Sequence, residues 1–285
     1  MTARLVLATQ NAKKGRELAE LCRDRFIVLT MKDVGLADLV IDETGATFAD
    51  NARIKARAVM AALAKTGELE RSAIWAVIAD DSGLCVDALD GRPGVRSARL
   101  SADLGYRPPG VSIDEANNRL LLHLLGAVPS SQRGAHFACA VAALLVSPTR
   151  SLSGVGLGPF ADRCVGSSAR GDSHAPAGLL ALPEKPGAEP PTNFGPATLV
   201  DGKSSSEAPL LEAFATSQGR IAFDQKADGG FGYDPLFIVD SGPPSVRGRR
   251  MSELSADDKH AISHRGHAMR ALLAALPERP SRFTP

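Results

Sequence analysis

The apolar run Ala73–Ala79 (AIWAVIA) leads straight into Asp80-Asp81-Ser82-Gly83, and it constrains the fold more than any other stretch. An unbroken run of that length, holding isoleucine, valine and tryptophan, reads as a strand buried on both faces. A strand of that kind needs a covering layer on each side. Its carboxyl end is where open α/β sheets present groups to a ligand. Two adjacent carboxylates repel, so placing them there requires a reason, and a divalent cation is the usual one. A turn of solvated acids is the plainer explanation of the same residues.

Other segments supply the layers. Arg4–Thr9 reads as a second buried strand that ends in the turn-prone pair Gln10-Asn11. Helical spacing follows from about Gly15 to Arg23, with Leu18, Leu21 and Cys22 on the inner face. Thr47 and Asp50 start a helix in capping-box fashion; it runs to about Lys65 with Phe48, Ala52, Val59 and Leu63 on one face. Leu84–Leu89 reads as another strand, closed by the turn Gly91-Arg92-Pro93-Gly94. Asp114–Leu125 has helical spacing, and Ala135–Val146 is a long apolar strand. Ser217-Gln218-Gly219 looks like a hairpin turn between Leu210–Thr216 and Arg220–Phe223, and Phe231–Val239 is strand-like. Ser255 with Asp258 starts a helical region that Ser263–Leu276 completes. The alternation predicts an α/β or α+β architecture with a mixed sheet. With 44% hydrophobic residues, a chain of 285 can bury a full core.

From Pro148 to about Pro209 the character changes to Gly, Pro, Ser and Ala with no clear period. Such a segment cannot bury enough surface to offset its ordering entropy. It reads as a largely disordered excursion between two strands of one domain, tolerable because loop-closure entropy grows only logarithmically with length; a functional lid is the alternative. Four widely spaced cysteines without a CxxC pair argue against structural zinc and for a reducing cytoplasm. A net charge of +1 excludes a global field that would gather nucleic acid. The opening MTARLVLATQN lacks a signal-peptide stretch, and no window approaches the roughly 20 apolar residues of a membrane span. The expectation is a soluble cytoplasmic protein with neither membrane nor nucleic-acid partners.

Positive charge for an anionic ligand must therefore be local. Thr9, Gln10, Asn11, Ala12, Lys13 and Lys14 form a strand-to-helix turn, where amides and the helix dipole favour phosphate, although the Walker pattern is absent. Lys55 shares a face with Phe48, Ala52 and Val59; it either snorkels to solvent or meets a buried anion. Glu43, in the polar stretch before that helix, adds a carboxylate to the Asp80-Asp81 pair. Gly229–Pro235 joins glycines to Phe231 and Tyr233, which suits a stacked base or, equally, a tight turn over core aromatics. Lys259, His264 and Arg265 offer donors near a helix start, or are simply its exposed cations.

Taken in order, LVLATQNAKKGREL, ETGATFADNARIKARA, ADDSGLCVDALDGRPGVRSAR, GGFGYDPLF and LSADDKHAISHRG resemble the inosine triphosphatase family. Its bacterial members are called dITP/XTP pyrophosphatases. The match spans nearly the whole chain apart from the excursion. The resemblance implies an elongated mixed sheet flanked by helices, two lobes with a cleft between them, and a homodimer. It implies hydrolysis of ITP, dITP or XTP to the monophosphate and pyrophosphate with Mg²⁺. By motif position, Thr9 to Lys14 and Lys55 would contact the triphosphate, and Glu43 and Asp81 would hold Mg²⁺. Asp81 would also be the general base. Ser82, Phe231, Gly232, Tyr233, Asp234, Lys259, His264 and Arg265 would complete the pocket, with Arg265 and the backbone near His264 reading a 6-oxo group. Gln10 and Lys13 depart from the glycines many bacterial members carry, and Gln10 would sit uneasily at positive φ. A nucleotide kinase, or a nucleotide-binding regulator without turnover, would use similar residues; the first lacks its signatures here.

Overall fold

In the computed structural model the described residues are 3–22, 25–146, 198–200, 208–226 and 230–276. Seven strands form one sheet: β1 Arg4–Leu7, β2 Ile27–Thr30, β3 Ile74–Val86, β4 Gly134–Leu145, β5 Thr198–Val200, β6 Leu210–Ile221 and β7 Phe237–Val239. The helices are α1 Ala12–Cys22, α2 Phe48–Thr66, α3 Glu68–Arg71, α4 Leu100–Asp103, α5 Ile113–Leu124, α6 Ala256–Ile262 and α7 His264–Ala275. The strand order is β2-β1-β3-β4-β6-β5, with β7 also on β6. β1 runs parallel to β2 and β3, and every other pair is antiparallel. This is the mixed α/β sheet that the alternation predicted.

Helix ends follow local chemistry. The Thr47 hydroxyl accepts from the Asp50 amide at the start of α2, and Ser255 does the same for Asp258 at α6. Each such cap contributes roughly 1 kcal/mol. The inner face of α2 buries Phe48, Ala52, Val59 and Leu63 almost completely against one side of the sheet. Full burial of a side chain the size of Phe48 or Leu63 stabilises by about 1.5–3 kcal/mol. The opposite side is covered by α1 and α7 through Leu18, Cys22, Met269 and Leu272. A third core gathers where β3 and β4 run on past these layers, joining Leu84, Val86 and Phe137 to Leu120 and Leu121 of α5.

Three sequence expectations are corrected. β3 is one strand through Asp80–Gly83, not two strands broken by an acidic turn, because Val141 to Ala138 of β4 pair with it residue by residue. β6 likewise passes straight through Ser217-Gln218-Gly219, which lie opposite Phe137, His136 and Ala135. Local turn preference yields to a partner edge that keeps every ladder bond. Phe231–Val239 is not one strand. Gly230 and Gly232 take φ of +77° and +58°, so the extended strand β7 begins only at Phe237.

Most of the stretch 148–209 lies outside the described residues. Within it, Thr198–Val200 pair with Glu212–Leu210 as β5. Cys22, Cys85 and Cys139 are buried and form no disulfide, and Cys164 falls outside the described residues. No helix among the described residues is long and apolar enough to cross a membrane.

Candidate active site

A cavity of about 420 Å³, within the size range of small-molecule sites, is lined by apolar residues of the α2-side core (Ala8, Met31) and of the third core (Leu84, Phe137). Its floor is the middle of β3. Successive strand side chains point to opposite faces, so Asp80 and Asp81 do not face each other. Asp80 shares the α1/α7 side with Ile78, and Asp81 the α2 side with Ala79.

On the α2 side, Asp81 Oδ1 pairs with Lys55 Nζ at 3.1 Å, and the same ammonium pairs with Glu43 Oε2 at 3.1 Å. The buried lysine meets an anion buried with it, Asp81, and a second, partly exposed one, Glu43. Asn51, one turn before Lys55, donates from Nδ2 to Asp81 Oδ2 at 3.1 Å and accepts from the Gly45 amide at 2.8 Å. Gly45 has no room for a side chain; an added Cβ would stand 2.7 Å from Asn51 Oδ1. Burial pushes the Asp81 carboxyl above its usual range, with Glu43 adding to the effect, while Lys55 and Lys14 oppose it. Burial disfavours the charged form of Lys55, but Asp81, Asp80 and Glu43 outweigh it and keep the ammonium protonated.

On the other side, Asp80 Oδ2 pairs with Lys14 Nζ and with Arg265 Nε, each at 3.3 Å. Its Oδ1 is buried without a hydrogen-bond partner among the described residues. Burial alone would raise Asp80, yet the Lys14 and Arg265 charges hold it well below the ordinary carboxylate range. Arg265 also donates to Glu17 of α1, and to Ser82 Oγ at 3.0 Å. The guanidinium that sequence reasoning assigned to the nucleobase is therefore directed into a buried ion-pair network, although Arg265 still lines the cavity. His264 stacks on Phe137 with centroids 4.9 Å apart, and its Nδ1 has no hydrogen-bond partner among the described residues. Burial and the nearby Arg265 and Lys14 charges push its pKa well down, so the ring is neutral.

The turn between β1 and α1 is tied by its own side chains. Thr9 Oγ1 accepts from the Asn11 amide at 3.2 Å, and Asn11 Oδ1 accepts from the Lys14 amide at 3.2 Å. Gln10 donates to the carbonyls of Leu39 and Ala37 at 2.8 and 3.3 Å, and its φ is not positive, which removes the conflict the sequence raised. Thr9, Gln10, Asn11 and Lys14 line the cavity; Ala12 opens α1 without lining it, and the Lys13 side chain lies outside the described residues.

At the far end, the turn Gly230–Asp234 is folded back on itself. The Phe231 amide donates to Asp234 Oδ2 at 3.1 Å, and Lys259 Nζ donates to the same oxygen at 2.6 Å. Lys259 also lies 4.6 Å from the centroid of the half-buried Phe231 ring. Tyr233 is different: it packs in the third core, and its hydroxyl donates to the Ser97 carbonyl at 2.9 Å. Of the two aromatics, Phe231 is the one that offers a stacking surface, and Tyr233 is the core anchor.

Thus Glu43, Lys55, Asp81, Ser82, Lys14, Phe231, Gly232, Tyr233, Asp234, Lys259, His264 and Arg265 all border one cavity. Sequence reasoning missed Glu17, Asn51, Ser97 and Asp114. Asn51 carried a signal, since it lies four residues before Lys55 on the same face. Glu17 carried none that a solvated helix charge would not also give. Among the described residues no three acidic, histidine or cysteine side chains stand together as a metal cage. Magnesium does not require one, since one or two carboxylates plus substrate phosphates commonly hold it. Glu43 and Asp81, already converging on one ammonium, are a donor pair of that type.

The Ham1 family model matches residues 5–171 and 192–275. A dITP/XTP pyrophosphatase from Corynebacterium jeikeium is 36% identical, covering 96% of this chain and 98% of its own. One from Nitratidesulfovibrio vulgaris is also 36% identical, over 96% of each chain. A solved HAM1 protein from Coxiella burnetii superposes with a TM-score of 0.58 at 29% identity, covering 97% of this chain and all of that one.

Proposed function

This chain belongs to the Ham1 family, and we propose that it hydrolyses non-standard purine nucleoside triphosphates (ITP, dITP and XTP) to the monophosphate and pyrophosphate. The observation that carries this reading is the convergence of Lys14, Lys55, Asp81 and the Phe231 turn on one cavity. Together they offer ammonium groups for phosphate, a carboxylate for water and an aromatic face for a base.

Attack at the α-phosphorus brings an electron-rich oxygen to a polyanion. Lys14 and Lys55 sit where they neutralise the phosphates and hold the leaving pyrophosphate. Asp81, raised by burial, is the group to take the proton from the attacking water. A base shifted toward working pH is more effective than an ordinary carboxylate. Glu43 and Asp81 would hold Mg²⁺, which when bound supplies charge neutralisation for the phosphates. As the triphosphate draws the ammonium of Lys55 toward itself, Asn51 keeps Asp81 oriented. The 6-oxo group is read by the first amides of α7, at His264 and Arg265, which are orphan donors of a helix start. Adenine's amino group presents no acceptor to them. The regions on either side of the cavity are the two lobes; the enzyme works as a homodimer in the cytoplasm.

Pyrophosphate release from ITP, XTP, dITP, GTP and ATP, with and without Mg²⁺, tests this. The expected result is Mg²⁺-dependent release from the 6-oxo non-standard substrates and little from ATP. Equal rates for ITP and ATP would sink the specificity; tight binding without turnover would make the chain a nucleotide sensor.

A further inference from the structure

The Gly230–Asp234 turn is held from outside by a helix that none of the motif-derived roles includes. Asp114 and Asn118 are four residues apart on α5, so they share one face of it. Asp114 Oδ2 accepts from the Gly232 amide at 2.9 Å, and Asn118 Nδ2 donates to the Gly232 carbonyl at 3.0 Å. The two polar groups of a single glycine are thus gripped from one helix turn. That glycine takes φ of +58°, a region it does not hold for steric reasons, since nothing lies within 4 Å of where a Cβ would be. Between Asn118 and Asp114, Asn117 faces the neighbouring wall: it accepts from the Ser101 amide at 2.8 Å and donates to the Ala98 carbonyl at 3.3 Å. Ala98 and Asp114 both line the cavity.

We propose that Asp114 and Asn118 are positioning residues for base recognition: they fix Gly232, and through it the Phe231 ring, against the nucleobase. The inference rests on the substrate reading above. A loosened Gly232 leaves the lysine–carboxylate end untouched, so the loss falls on nucleotide affinity and base choice and spares the chemical step.

The test uses Michaelis curves for ITP and ATP with the full chain and with D114A, D114N and N118A. Asp114 is exposed, so its variants keep the fold; both remove the charge from the first turn of α5, and only D114N keeps the acceptor. Losing one hydrogen bond to a charged group predicts a KM for ITP raised about tenfold in D114A. The kcat should stay within about twofold, and the ITP-to-ATP preference should narrow about as much as KM rises. D114N should recover most of the affinity, and N118A should follow D114A. Unchanged KM and preference in D114A would overturn the proposal, as would an equal loss in D114N, because charge rather than the bond would then be responsible. If the unmodified chain releases no pyrophosphate from ITP, the substrate reading falls first and takes this one with it; normal turnover with an indifferent D114A removes this one alone.

Discussion

The two ends of the cavity are built on different principles. At the acidic end, Asp80, Asp81 and Lys55 sit on regular elements, β3 and α2, and are fixed by buried charge pairs. At the aromatic end, Phe231 and Gly232 sit on irregular backbone, fixed by side chains that bond to main-chain groups. Buried charge is expensive to misplace, so it needs elements that hold to fractions of an ångström. A planar base tolerates a looser platform, and a glycine turn lets the ring approach it closely. The expected division of labour is chemistry at the first end and selection at the second.

Mutation can break that division, beginning where the effect is largest. D81N removes the base while leaving an amide of the same shape, and turnover should fall about 10²–10⁴-fold, with a lowered melting temperature because the buried pair with Lys55 is lost too. Near-normal pyrophosphate release would end the assignment. K55M strands Glu43 and Asp81 without their shared cation. Breaking a buried pair typically costs about 3–5 kcal/mol; Glu43 is a third exposed, so the lower figure is expected in denaturant unfolding, with turnover also lost. An unchanged midpoint would show that solvent already carries the pair.

Acid should separate the same two acids by their environment. Asp81 is raised, so on acidification it protonates before an ordinary aspartate would, and kcat/KM should fall by up to about tenfold per pH unit below that point. Asp80 is depressed, so its contribution to stability is present above about pH 4, the unfolded value, and is lost only as pH falls through its lower folded value. Activity should therefore vanish at a higher pH than the fold does. Coincident loss in paired rate and melting curves would refute the ordering. At the aromatic end, F231A should raise KM by about ten- to a hundredfold, the range of one base–aromatic stack, and leave kcat nearly alone. Smallest of all, G232A places a side chain at positive φ with no clash, at a cost of roughly 1 kcal/mol seen in thermal melts.

How much of this was legible in the sequence differed along the same divide. The α2 cap, its apolar face and the suspicious lysine were readable because their cause is local, within a few residues. The partner of Arg265 was not, since Glu17 is 248 positions away and looks like any solvated helix charge. Ser217-Gln218-Gly219 has the composition of a turn, and only the edge offered by β4 makes it a strand. Asp80 and Asp81 both border the cavity, but adjacency in sequence suggested two carboxylates facing each other, and the pleat of β3 turns them to opposite sides.

That pleat limits how β3 can change. Neighbouring positions look out on opposite helical layers, so deleting or inserting one residue between Ala76 and Ile78 would exchange the companions of the two acids. Asp81 would inherit an arginine, and Asp80 would face the α2 lysine. Drift in this strand can proceed by replacement in place, or by steps of two, but a shift of a single position would turn the reaction centre inside out.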